Sequence, residues 1–279
     1  MLASLGEASN RPDQPIPQIG LGTFGRAGTS GLELILAGLE LGYRHIDTAQ
    51  TYNTESLVGA AIKRSGIPRA EVFVTTKIAV DNLGDALRSS FERSLDALSM
   101  DYVDLTLIHW PSPQDQVPME DYLLALQELE TSGRTRCFGV SNFTKTLLDR
   151  AIKIAGPSKL SNNQIEVHPF LQNVSLRSFC HKSGISVTGY VPLAKGRVTD
   201  DRTLQRIALH HGRLPSQIAL AWAMQQGVIV IPATGSLAHL KSNFAATEII
   251  LSPEEMEDIS RLDRNERIIS PAYSPPWDH

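Results

Sequence analysis

Six apolar, β-branched runs in this chain each carry one polar or aromatic group at an end. Asp47, Lys77, His109, Ser141, Gln164 and Tyr190 sit at or just past an end of runs 43–47, 72–77, 103–109, 138–141, 164–167 and 186–191. Successive groups are separated by between 23 residues (Ser141 to Gln164) and 32 residues (Lys77 to His109). Parallel strands need a crossover of a dozen or more residues, usually containing a helix, and this spacing supplies one each time. A ring of such strands gathers its chemistry at one mouth, because the strand ends of a βα-barrel converge there. The expectation is an α/β protein with a single (β/α)8 (TIM) barrel domain spanning 1–279.

Helix signals fall between the runs. Thr29 or Ser30 is suited to cap a helix that ends at Gly42, and Pro118 opens a segment that ends at Gly133. Thr144 caps the run to Gly156, and Ser252-Pro253-Glu254-Glu255 opens the last long helix. A final strand-like run covers 228–231, with a helix over 237–245. Residues 1–14 are polar and aperiodic and are expected to form a loose arm. No composition shift marks a linker.

Composition narrows the function classes. A net charge of −4 and no Lys/Arg-rich block exclude a nucleic-acid partner from the expectation. Neither a signal-peptide pattern nor a run of apolar residues long enough to span a bilayer is present, so the expected location is the cytoplasm, with no membrane partner. Cys137 and Cys180 are far apart and not in a CxxC arrangement, which fits a reduced compartment.

Gly20-Leu21-Gly22-Thr23-Phe24-Gly25 reads GxGxxG, and Asp47 follows at about the distance of a dinucleotide-binding fingerprint. The context argues against that reading. Pro15 and Pro17 interrupt the strand that should precede the glycines, and Arg26-Ala27-Gly28 delays the helix that should open within them. The glycines are instead expected to let backbone approach a ligand closely at the barrel mouth.

Asp47, Tyr52, Lys77 and His109 make a proton-transfer set without a metal-ligand pattern or an obvious nucleophile. Asp47 is expected to pair with Lys77. The Lys77 ammonium is expected to lower the pKa of Tyr52, ordinarily near 10, and His109 to orient a substrate oxygen. Such a set suits protonation of an oxygen as it gains negative charge. Taken singly, each residue has a structural reading: an ion pair, a packed ring, a neutral histidine. Four converging on one face favour chemistry.

At these residues the chain resembles the aldo-keto reductases. The segments DTAQTYNTE (47–55), TTK (75–77), LTLIHW (105–110), GVSNF (139–143), QIEVHP (164–169) and YVPLAKG (190–196) follow the family pattern in order, together with Gly59. Within the family the chain is most similar to the branch of bacterial 2,5-diketo-gluconate and methylglyoxal reductases. The resemblance implies a carbonyl reductase with Tyr52 as acid, Asp47 and Lys77 as its tuners, and His109 orienting the carbonyl. It implies NADPH, with NADH as a weaker second cofactor, bound without a dinucleotide fold. Gly22, Thr23 and Asp47 would border that cofactor; Ser141, Asn142 and Gln164 would hold its carboxamide, and Tyr190 would stack on its ring. Leu193 and Gly196 would border the pyrophosphate, while Thr234, Gly235, Ser236, His239 and Asn243 would receive the ribose phosphate and adenine. Phe24, Trp110 and Trp277 would join Tyr52 and His109 around a small carbonyl substrate. Where the family pattern has Lys and Arg beside the phosphate, this chain has Ala233 and His239, which implies a narrower preference for NADPH.

A second reading is a cofactor-binding partner subunit of the same fold with little turnover. A third, a metal-dependent barrel hydrolase, lacks support because His45, His109, His168, His210 and His211 show no HxH or HExxH spacing. No metal is expected, and the expected oligomeric state is monomer.

Overall fold

A computed structural model describes residues 15–278, so the expected N-terminal arm (1–14) lies outside the described residues. The strands are β1 (Leu21–Gly22), β2 (His45–Asp47), β3 (Phe73–Ile78) and β4 (Val103–Ile108), then β5 (Thr135–Ser141), β6 (Leu160–Glu166), β7 (Ser186–Tyr190) and β8 (Val228–Val230). They form one sheet in sequential order with every neighbouring pair parallel. One helix follows each of the first six strands: α1 (Thr29–Leu41), α2 (Glu55–Ser65), α3 (Ala86–Leu98), α4 (Met119–Thr131), α5 (Lys145–Ala155) and α6 (Val174–Lys182). Two helices, α7 (Arg202–His211) and α8 (Pro215–Gln225), separate β7 from β8. After β8 come α9 (Leu237–Phe244) and α10 (Pro253–Ser260). The (β/α)8 expectation holds.

Closure explains two of the glycines. The Gly20 N–H donates to Val230 O at 2.8 Å, the Val230 N–H to Gln18 O at 2.9 Å, and the Gly22 N–H to Pro232 O at 3.2 Å. Parallel bridges Ile19–Val230 and Gly22–Ala233 complete the seam. A Cβ on Gly22 would lie 2.7 Å from Ile231 O, and one on Gly20 would lie 2.6 Å from the His45 ring. These glycines therefore let strand meet strand, where ligand approach alone had been expected, and α1 begins well beyond them, at Thr29. Edge pairing by closure leaves no exposed strand on this part of the sheet.

Several local expectations need correction. Helix α1 is capped by Gly28, with no side-chain cap from Thr29 or Ser30, and Pro118 is the N-cap of α4 and not its first residue. Strand β2 starts at His45 because Tyr43 belongs to the end of α1. Its N–H bonds Gly38 O at 3.0 Å, and its hydroxyl donates to Leu240 O. Thr144 does cap α5, and Ser252 and Glu255 form a reciprocal capping box, although α10 is only 8 residues long.

The helices pack closely enough to forbid a methyl group in places. A Cβ on Gly59 in α2 would lie 2.0 Å from the carbonyl oxygen of Leu98, the last residue of α3. Both partners are backbone and cannot rotate away. Gly59→Ala is therefore expected to lower unfolding free energy by about 1–3 kcal/mol, the usual cost of overpacking. Urea unfolding of the two proteins checks it; an unchanged midpoint would show that α2 and α3 can separate at no cost.

Candidate active site

The strand ends deliver their groups to one cavity of about 810 Å³. Asp47 closes β2, Lys77 lies one residue from the end of β3, and His109 follows β4, its N–H held by Ile78 O at 3.0 Å. Ser141 and Tyr190 close β5 and β7, and Gln164 lies two residues before the end of β6, which begins at Leu160, upstream of the expected run. Tyr52 ends a single helical turn, Gln50–Tyr52, placed directly after β2.

Beneath the cavity lies a buried ion pair. Lys77 Nζ donates to Asp47 Oδ1 at 2.5 Å and to Thr48 O at 2.8 Å, with the Lys77 side chain fully buried. The other Asp47 oxygen accepts from Gln164 Nε2 at 2.7 Å. Thr23, Thr54 and Thr48 chain their hydroxyls at 2.8 Å beside it, and Thr23 also donates to Asp47 O. Both carboxylate oxygens and the ammonium are thus satisfied, as buried charges must be.

Tyr52 and His109 stand above this pair. The Tyr52 hydroxyl is 3.5 Å from His109 Nε2, and Lys77 Nζ sits 4.8 Å from the centre of the Tyr52 ring, over its face. Burial and then the Asp47 carboxylate push the Tyr52 phenol well above its ordinary value, the reverse of the expected lowering by Lys77. The reason is that Asp47 offsets the ammonium while desolvation penalises the phenolate. Burial and then Lys77 hold His109 down at about 3, so its imidazole is neutral. Burial also lowers Lys77, opposed by Asp47. At neutral pH the cavity therefore presents a neutral phenol and a neutral imidazole, two hydrogen-bond donors or acceptors without net charge.

A second network runs round the mouth. Tyr190 donates its hydroxyl to Asn142 Oδ1 at 2.7 Å, while Asn142 Nδ2 reaches Ser141 Oγ and His109 O, both at 3.0 Å. Ser141 Oγ donates to Gln164 O at 2.8 Å. Asn142 (φ 65°) and Val191 (φ 50°) adopt left-handed backbone. For a β-branched valine that is a strained conformation, of the kind that collects at functional sites. Ser141, Asn142, Gln164, Tyr190, Leu193, Gly196 and Gly22 all line the cavity.

Other expectations fare differently. Phe24 and Trp110 line the cavity, Phe24 meeting Tyr52 edge to face at 5.1 Å. Trp277 does not line it; the indole packs edge-on against Trp110 at 6.0 Å and lies under the Arg267 guanidinium. Thr23 is buried behind the wall. Thr234, Gly235, Ser236, His239 and Asn243 cluster at and along α9, outside the cavity lining; Thr234 and Asn243 are buried and His239 is exposed.

Two features escaped sequence reading. Arg26, from the β1–α1 loop, lines the cavity and lies against Gly235, where a Cβ would be 2.7 Å from its Nη1. A C-terminal strap supplies Ile268, Ile269, Ser270, Pro271 and Tyr273 to the wall. Glu166, fully buried at the end of β6, holds that strap by accepting the N–H groups of Ile268 (2.7 Å) and Ile269 (2.8 Å), and its Oε1 is 2.9 Å from His168 Nε2. Neither feature has periodicity, and the contacts that form them join segments far apart in the chain.

The aldo/keto reductase family profile matches residues 18–264, most of the chain. The chain belongs to the aldo/keto reductase family. It is thus an oxidoreductase of a family that generally uses nicotinamide cofactors. It is 45% identical over 265 residues to a protein named methylglyoxal reductase DkgB from Escherichia coli O157:H7, covering 94% of this chain and 99% of that one. It is 37% identical over 255 residues to a glyoxal reductase from Bacillus subtilis (strain 168), covering 91% of each. A crystal structure assigned as 2,5-diketo-D-gluconic acid reductase B superimposes with a TM-score of 0.91 at 41% identity, covering 95% of this chain and 94% of the other. Among the described residues no helix is long and apolar enough to cross a membrane.

The strap depends on one carboxylate. Glu166→Ala would remove the charged acceptor of two half-buried strap N–H groups, hydrogen bonds of a kind each worth about 1.5–3 kcal/mol. Hydrogen exchange at the Ile268 and Ile269 amides is expected to quicken about tenfold or more, given that about 1.4 kcal/mol changes an opening equilibrium tenfold. Unchanged exchange there would show that the aromatic contacts of Trp277 and Tyr273 hold the strap without Glu166.

Proposed function

We propose that this protein is an NADPH-dependent reductase of small aldehydes, ketones and 1,2-dicarbonyls of the methylglyoxal, diacetyl or 2,5-diketo-gluconate type. The observation that carries the reading is the placement of the Tyr52 hydroxyl beside His109 Nε2 in the cavity, directly above a buried ion pair. Tyr52 is the acid: held as a neutral phenol, it gives its proton to the carbonyl oxygen as negative charge develops there. His109, neutral, keeps that oxygen within reach by a hydrogen bond. Asp47 and Lys77 act as positioning and electrostatic residues, the ammonium favouring the phenolate left after proton transfer.

The residues present fit a nicotinamide cofactor. The half-buried Tyr190 ring forms part of the cavity wall, with Asn142 and Ser141 tethered beside it. Bound there, the cofactor supplies the hydride. Farther along the cavity come Leu193, Gly196 and Ala233, with Arg26 at the wall next to Gly235. Ser236 caps α9, whose first backbone N–H groups suit a phosphate, as helix N-termini do. Arg26 offers a fixed cation near the place where Ala233 offers none. The substrate end is small and aromatic: Phe24, Trp110, Tyr273 and the strap surround Tyr52 and His109. The names of the two relatives, reductases of methylglyoxal and glyoxal, support the same substrate class.

Tyr52→Phe is expected to lower kcat for methylglyoxal by at least about 100-fold, the smaller end of acid catalysis, with cofactor binding retained. Retention of more than about a tenth of the wild-type rate would remove Tyr52 from the acid role.

Cofactor choice has its own test. Arg26→Gln is expected to raise the Kd for NADPH about tenfold, the size of one charge-assisted contact, and to leave that for NADH within about twofold. Equal weakening of both cofactors would assign Arg26 to a part of the molecule that the two share.

A further inference from the structure

Far from the proposed reaction, three ligating side chains converge on the outside of the barrel. His210 and His211 end α7, and Glu255 lies in the first turn of α10. Neighbouring positions on a helix point about 100° apart, so two adjacent histidines do not ordinarily reach one target. Here they do, in the last turn before Gly212. His210 Nδ1 lies 2.9 Å from Glu255 Oε1, and His211 Nε2 lies 3.0 Å from each Glu255 oxygen. The two imidazole rings are 5.1 Å apart at 68°. None of the three residues lines the reductase cavity.

We propose that His210, His211 and Glu255 form a site for a borderline divalent cation, Zn²⁺ above all, that ties the end of α7 to the start of α10. The three ligand atoms already lie within 4.8 Å of one another. Zinc bound at about 2.0–2.2 Å holds tetrahedral ligands about 3.4 Å apart, so small ring rotations close the set. Two imidazoles and a carboxylate match zinc, with one position left for water. The His210 side chain is 78% exposed, which keeps that position open to solvent, whereas Glu255 is only 10% exposed and held in place. Its rigidity has a visible source: Glu255 Oε2 accepts the Ser252 N–H at 2.9 Å and its own N–H bonds Ser252 Oγ. The carboxylate is not claimed by stronger cations. Nearby Arg213 pairs with Glu248 and Arg206 with Asp258, leaving the two imidazoles as the ion-pair partners of Glu255 among the described residues. Sequence spacing hides the site because the carboxylate comes 44 residues after the second histidine.

Calorimetric titration of the untagged full-length protein with ZnCl₂ at neutral pH tests the site. The expected result is one saturable ion per chain and a melting temperature that rises with Zn²⁺. His210→Ala and Glu255→Gln are each expected to weaken binding at least about tenfold, the size of effect that even an outer-shell partner of a metal can have. His210 is exposed, and Gln preserves the capping box, so both variants keep the fold. Methylglyoxal reduction in both should equal that of the wild type. Absence of stoichiometric binding, or equal Zn²⁺ affinity in the wild type and both variants, would overturn the proposal, and either outcome leaves the reductase reading untouched.

Discussion

The Asp47–Lys77 pair is the constraint on which the rest of the site depends. A buried ammonium and a buried carboxylate are each expensive alone, and only close pairing with further hydrogen bonds makes them tolerable. The geometry meets that demand: Lys77 reaches Asp47 and Thr48, and Asp47 also takes Gln164. In doing so the pair joins β2, β3 and β6 across the barrel interior. Tyr52 and His109 then rest on a charge-balanced floor, and burial raises the one pKa and lowers the other so that both are neutral. In the proposed reaction, the ammonium beside that neutral phenol would stabilise the phenolate left when the proton is given.

Barrel closure and the C-terminal strap shape what can approach that floor. Gly20 and Gly22 allow β1 to meet β8, which brings Ile231, Pro232 and Ala233 into the cavity wall. Glu166 directs both of its oxygens to strap N–H groups, so this strand-end carboxylate fixes the shape of the mouth. Trp277, at the far end of the strap, braces Trp110 from behind the wall.

Legibility followed physical locality. Strand ends were readable because an apolar β-branched run followed by a polar group is a local pattern, and Asp47, Lys77, His109, Ser141, Gln164 and Tyr190 all reach one cavity as that pattern implied, five on its wall and Lys77 in the floor beneath. Contacts between distant segments were not readable. Arg26 against Gly235, Glu166 beneath the strap and Glu255 beside His210 and His211 are separated by long stretches of chain and carry no periodic signal. The direction of the Tyr52 shift was missed because an ammonium was visible in the sequence while the degree of burial was not. Two helices between β7 and β8 also went unassigned, and the cap of α1 fell one residue earlier, that of α4 one residue later, than the side chains suggested.

The central claim is that Asp47 and Lys77 act as one unit. A double-mutant cycle across Asp47→Asn and Lys77→Met, read by denaturant unfolding, measures that coupling directly. The expected result is a double variant about 1–3 kcal/mol more stable than the sum of the two single losses implies, because each single change strands a buried partner that the double change removes. Strict additivity of the two losses would contradict it and leave Tyr52 and His109 without the floor described here.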